Sequence, residues 1–106
     1  MSMTVLVTRN VSDRVRGFIA SVMLELAPGV YSAPRISPAV RSRVWSVLED
    51  WFANERDASI VLVWQDQDQP GGQSVLTLGA PRIDFMEVDG LVLARRRADS
   101  SQSGVP

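Results

Sequence analysis

Residues Met3 to Leu26, MTVLVTRNVSDRVRGFIASVMLEL, constrain this chain more than any other stretch. Thr4-Val5-Leu6-Val7-Thr8 is β-branched and almost continuously apolar, the pattern of a central strand covered on at least one face. Val15, Phe18, Ile19, Val22, Met23 and Leu26 then recur at helical spacing and make one apolar stripe. Between strand and stripe lies a polar junction with Arg9, Asn10, Asp13, Arg14 and Arg16. Ser12 is placed to cap the helix, and Asp13 suits the positive end of its dipole. Gly17 is a poor helix former, so its presence predicts a close approach to the backbone there.

The helix is expected to end at Leu26, because Pro28-Gly29 follows. Val30-Tyr31-Ser32 reads as a short strand bounded by Pro34. Ser37-Pro38 starts a second helix, serine capping and proline in the first turn. Its stripe is Val40, Val44, Val47, Leu48 and Trp51, widened by Trp45 and Phe52. After a polar loop, Ser59 to Trp64 is a second apolar strand, Asp66 to Gly72 a hairpin loop and Gln73 to Leu78 the returning strand. Ile83 to Val88 is extended, Asp89-Gly90 a turn, and Leu91-Val92-Leu93 a last short strand. The domain is expected to span residues 1–94, with a mobile Arg/Ser-rich tail over residues 95–106.

The order β-α-β-α-β-β, plus one or two short C-terminal strands, predicts an α+β ferredoxin-like sandwich. Two helices cover one face of a mainly antiparallel sheet. The other face is left open, and with Trp64 and Tyr31 to bury, a second copy of the chain is its expected cover.

Composition narrows the chemistry. The 106 residues contain no histidine and no cysteine, and every one of the 11 basic residues is arginine. That removes the usual general base, the thiolate, the Schiff-base amine and the common zinc ligands. No apolar run is long enough to span a membrane, and no secretory signal is read, so a cytoplasmic location is expected. Residues 1–43 hold six arginines against two acids, whereas residues 44–94 hold two against nine. This segregation suits a polyanion on one surface and a different partner on another, or an ordinary solvated surface.

The ordered set of MSMTVLVTRNV at the start, R-V-R-G at 14–17, G-V-Y at 29–31, I-S-P-x-V-R-x-x-V-W at 36–45, V-L-V-W at 61–64 and D-G-L-V-L at 89–93 resembles the CRISPR-associated protein two family, in its subtype I-E branch. No single piece is specific; the set is, and it covers roughly residues 1–94. The resemblance implies a ferredoxin-like homodimer that is the non-catalytic centre of the spacer-acquisition integrase. Such a dimer bridges two dimers of the larger integrase subunit, the CRISPR-associated protein one, and carries the middle of the double-stranded protospacer DNA. It implies DNA contacts at Arg14 and Arg16 and, in the loop after the fourth strand, at Arg82, whose basic neighbour in the branch is Ile83 here. A basic residue the branch carries early in the second helix falls near Ala39, with Arg41 and Arg43 as candidate substitutes. The C-terminal segment, here Asp89, Gly90, Leu91, Val92 and Leu93, is the implied docking site for the integrase subunit.

Some family members are described as metal-dependent nucleases that use an acidic residue at the end of the first strand. That position is Arg9 here, which argues against a divalent cation. The expectation is therefore no cofactor and no catalytic residue, the alternative being a magnesium-dependent endonuclease acting on RNA or double-stranded DNA through Asp13 or another carboxylate. A third reading, independent of the resemblance, is a small interaction module without a nucleic-acid role.

Other motifs weigh less. Arg14 and Arg16 point about 200° apart on a helix, so they flank one backbone or are simply solvated. Phosphate contacts would position DNA without reading its sequence, and the arginine fork suits them. Three such arginines per protomer would give a log affinity against log salt slope of roughly −5 for the dimer. Glu87 and Asp89 share a strand face but are better read as a solvated side chain and a turn. Trp45, Trp51 and Trp64 are read as core or interface residues. Gly71-Gly72-Gln73-Ser74 lacks the lysine of a phosphate loop.

Overall fold

The computed structural model describes residues 2–80, 83–88 and 90–96, with backbone alone described at 83–88 and 95–96. Strand β1 (Ser2–Arg9) leads into helix α1 (Asp13–Val22). Strands β2 (Leu24–Ala27) and β3 (Val30–Ile36) form a hairpin, and helix α2 (Pro38–Phe52) follows. Strand β4 (Ser59–Gln65) turns through a short 3-10 segment, Pro70–Gly72, into β5 (Gln73–Leu78). Strands β6 (Ile83–Val88) and β7 (Leu91–Arg96) make a separate antiparallel hairpin.

The main sheet has the order β2-β3-β1-β4-β5, with every neighbouring pair antiparallel. This is the α+β ferredoxin-like arrangement, widened by β5. The strand pattern of the first residues explains its centre. Thr4 and Leu6 of β1 are fully buried and face the helices, whereas Met3 and Val7 on the opposite face are 51% and 41% exposed. Leu6 pairs with Tyr31 of β3 and Leu62 of β4, and these join Ile60 beneath Val15, Ile19 and Met23 of α1 and Val44, Trp45 and Leu48 of α2.

Both expected helix starts are present. The Ser12 hydroxyl accepts from the Val15 N–H, the Ser37 hydroxyl accepts from the Val40 N–H, and Pro38 occupies the first turn of α2. The hairpin loop also follows its chemistry. The Asp66 carboxylate accepts from the Asp68 N–H at 3.1 Å and the Ser74 hydroxyl at 2.7 Å.

Five expectations need correction. First, α1 ends at Val22 rather than Leu26, and the residues beyond it form the edge strand β2. Leu24 pairs with Ser32 and Glu25 with Tyr31 across a turn at Gly29. Gly29 has φ +79°, and a Cβ there would sit 2.8 Å from the Thr8 carbonyl oxygen. The Thr8 N–H donates to the Gly29 carbonyl at 2.7 Å, which pins the hairpin to β1. Leu26, the last member of the helical stripe, is 63% exposed.

Second, β3 does not stop before Pro34 but runs to Ile36, because the register shifts between its pairings with Thr4 and Ser2. An irregular pairing of this kind tolerates a residue without an N–H. Third, among the described residues nothing beyond the helix's own backbone and the adjoining residues lies within 4 Å of a Cβ built on Gly17, so the described fold does not account for that glycine. Fourth, Tyr31 and Trp64 lie on the helix side of the sheet, paired in register with Leu6 and Thr4. The face away from the helices is instead lined by Val5, Val7, Val61, Val63 and Val75, which the strand pairings place side by side. Strand β7 also extends to Arg96, so it takes in Arg95 and Arg96 of the expected tail. Residues 97–106, like Arg82 and Asp89, lie outside the described residues. Among the described residues, no helix is long and apolar enough to cross a membrane.

Candidate functional site

The strand-to-helix junction is shaped by non-local polar contacts. Asn10 sits at φ 57°, a left-handed conformation that Asn tolerates, and its amide donates to the Arg56 and Asp57 carbonyls at 3.3 Å. The Ser12 N–H and hydroxyl donate to the Glu55 carboxylate at 2.6 and 2.9 Å. The loop after α2 therefore holds the start of α1. Glu55 belongs to the acidic half of the sequence, so the charge segregation of the chain does not become a simple division of the surface.

Arg14 stands exposed in the first turn of α1. Its Cζ lies 3.9 Å from the centroid of the Trp51 ring, in the last turn of α2. Phe18, one turn further along α1, meets the same ring edge-on, with centroids 5.2 Å apart and planes at 60°. No acid among the described residues lies within ion-pair distance of Arg14.

Arg16 is placed differently. Its guanidinium lies 3.7 Å from Glu25 of β2 and 3.9 Å from Asp13. The Tyr31 hydroxyl beside it raises its pKa first, and the Glu25 carboxylate adds to this. That hydroxyl is buried without a hydrogen bond, so its effect on Arg16 is one of proximity rather than of a formed bond. Both ion pairs are solvent-accessible, so water screens them and they hold Arg16 only weakly.

Arg41 lies with its Cζ 4.2 Å above the Trp64 ring. Burial lowers its pKa, and the opposing charge of Asp66 works against that shift. Arg41, Trp64, Ser2, Pro38 and Asp66 line an open depression of roughly 360 Å³. Arg43, two residues on, is exposed. From Arg41 to Trp51, α2 advances about 15 Å. Arg14 and the Arg41–Arg43 pair are thus at opposite ends of the helical layer, and one protomer does not bring them together.

Of the C-terminal residues, Gly90 is exposed at the turn, and Leu91, Val92 and Leu93 are 65%, 48% and 48% exposed. An apolar strand exposed at consecutive positions has side chains bare on both faces. Arg9 ends β1 opposite Ser59 and is exposed. A cationic side chain at that position does not fit a divalent cation, and among the described residues no three His, Cys, Asp or Glu side chains converge to hold one.

Sequence reasoning missed the seats of the two arginines and the partner of Arg16. Trp51 is 37 positions from Arg14, and no local pattern links the two. Glu25 reaches Arg16 only because β2 is a strand rather than the last turn of α1.

Residues 3–93 match the model of a family described as CRISPR-associated protein (Cas_Cas2CT1978), a span that takes in both helices and nearly all of both sheets. The chain belongs to this CRISPR-associated Cas2 family.

Proposed function

We propose that the protein is a non-catalytic homodimeric scaffold of CRISPR spacer acquisition, of the subtype I-E kind. The dimer grips protospacer DNA by its backbone phosphates and bridges the larger integrase subunits. The observation that carries this reading is the exposed Arg14 guanidinium, held on Trp51 with no acid of its own fold within reach among the described residues. An arginine kept in that state is a ready phosphate ligand, and phosphate contact is indifferent to sequence. Arg41 and Arg43 extend the cationic surface. Arg16 joins it when a phosphate replaces Glu25.

The valine face supports the dimer. Met3, Val5, Val7, Val61, Val63 and Val75 form an apolar surface that neither helix covers. A second copy presents an identical surface, which suits an isologous two-fold contact. The exposed Leu91, Val92 and Leu93 of β7 offer the integrase subunit an apolar strand.

The test is to purify the chain with a larger CRISPR integrase subunit and assay insertion of a protospacer duplex. Arg14→Ala should abolish insertion while light scattering still reports a dimer. Unchanged insertion would refute the assignment, and a monomeric mass at micromolar concentration would refute the dimer. Counting only Arg14 and Arg43, the two candidate contacts that are exposed and carry no ion pair among the described residues, the dimer meets about four phosphates, two per protomer. The slope of log affinity against log salt should then be roughly −4.

A further inference from the structure

Two arginines of this chain lie on tryptophan rings, and the two seats differ. Arg41 is partly buried over Trp64, in a depression that Asp66 also lines, and that burial lowers its pKa. Arg14 is exposed over Trp51, with no ion-pair partner among the described residues. Trp51 is itself braced. It packs against the core cluster, and Phe18 meets it edge-on from the neighbouring helix at 5.2 Å. Arg14 and Phe18 are four residues apart on α1, so they share one face and hold the ring between them.

We propose that Trp51 is a positioning residue for duplex binding: its ring seats the Arg14 guanidinium by the face and leaves the N–H edge free for a backbone phosphate. This rests on the reading of Arg14 as a phosphate contact. The geometry of the group gives the reason. All five N–H donors of a guanidinium lie in its plane, so stacking occupies the face and leaves the donors unspent. A seated arginine has also given up much of its rotamer freedom before the phosphate arrives, which lowers the cost of binding. Arg16 shows the opposite use of the same side chain, with its nitrogens directed to Glu25 and Asp13.

The test compares Trp51→Phe, Trp51→Leu, Arg14→Ala and the double variant Arg14→Ala with Trp51→Leu. The full-length chain is titrated against a blunt generic DNA duplex by fluorescence anisotropy at low salt. Thermal unfolding of each variant confirms that folded protein is compared. An exposed cation–π contact corresponds to about a two- to fivefold effect, so two seats in a dimer give about a four- to twenty-fivefold loss for Trp51→Leu. Trp51→Phe keeps an aromatic face and should stay within about threefold of the parent protein. In the Arg14→Ala background, Trp51→Leu should cost nothing further. A Trp51→Leu protein that binds like the parent, or a loss that persists without Arg14, overturns the inference alone. Unchanged binding in Arg14→Ala overturns the phosphate role of Arg14, and the inference with it.

Discussion

Replacing Gly17 with alanine should stabilise this protein. Gly17 is the fifth residue of α1, exposed, and a Cβ built on it meets, among the described residues, no atom within 4 Å beyond its own helix backbone and chain neighbours. The substitution therefore brings no clash and creates no cavity. It removes the backbone freedom that glycine has in the unfolded chain, for a gain of about 0.4–1 kcal/mol. For a domain of this size the melting temperature should rise by about 2–8 °C. Differential scanning calorimetry at fixed protomer concentration is the assay, since the proposed dimerisation would make the midpoint concentration-dependent. A melting temperature equal to or below that of the parent protein would refute the reasoning.

The same residue also probes the surface. Gly17 lies three positions from Arg14, on the same face of α1. A duplex gripped by Arg14 passes close to it, which would supply the external reason for a glycine that the fold itself lacks. Gly17→Leu should then weaken duplex binding without unfolding the protein. Equal affinity would mean that α1 does not face the duplex at this point.

Two further outcomes follow from buried hydroxyls. Thr4 is fully buried and its Oγ1 has no hydrogen-bond partner among the described residues, so Thr4→Val should stabilise by about 1–2 kcal/mol in urea denaturation; a loss of stability would show that the hydroxyl is satisfied. Burial, reinforced by Glu25 and opposed by Arg16, raises the Tyr31 pKa above its ordinary value of about 10. The folded state then holds a proton that the unfolded chain releases. Its contribution is present below about pH 10 and is lost as pH rises through the folded value. Tyr31→Phe should remove that part of the alkaline decline, measured by denaturation at a series of pH values; an identical decline in the variant would assign it elsewhere.

Much of the architecture was legible because its signals are local. Ser12 and Ser37-Pro38 mark helix starts by the bonds their own side chains make. The apolar run Ser59 to Trp64 and the returning stretch Gln73 to Leu78, with turn chemistry from Asp66 to Gly72 between them, mark a hairpin. The absence of histidine, lysine and cysteine was likewise complete information about the chemistry the described residues could host. The site was less legible. Arg14 and Arg16 look equivalent two residues apart in the chain, yet one rests on a tryptophan and the other lies between two carboxylates.

What the sequence alone determined was the number and kind of most elements, the helix caps and the polarity of the available side chains, since each depends on neighbours within a few residues. Tertiary structure alone decided that Leu24 to Ala27 would be a strand, because its backbone partners lie across the Gly29 turn in β3. It also decided that valines rather than Tyr31 and Trp64 would line the uncovered face. A pattern of period two shows that a strand has two sides, but only the packing of α1 and α2 chooses which side is the core.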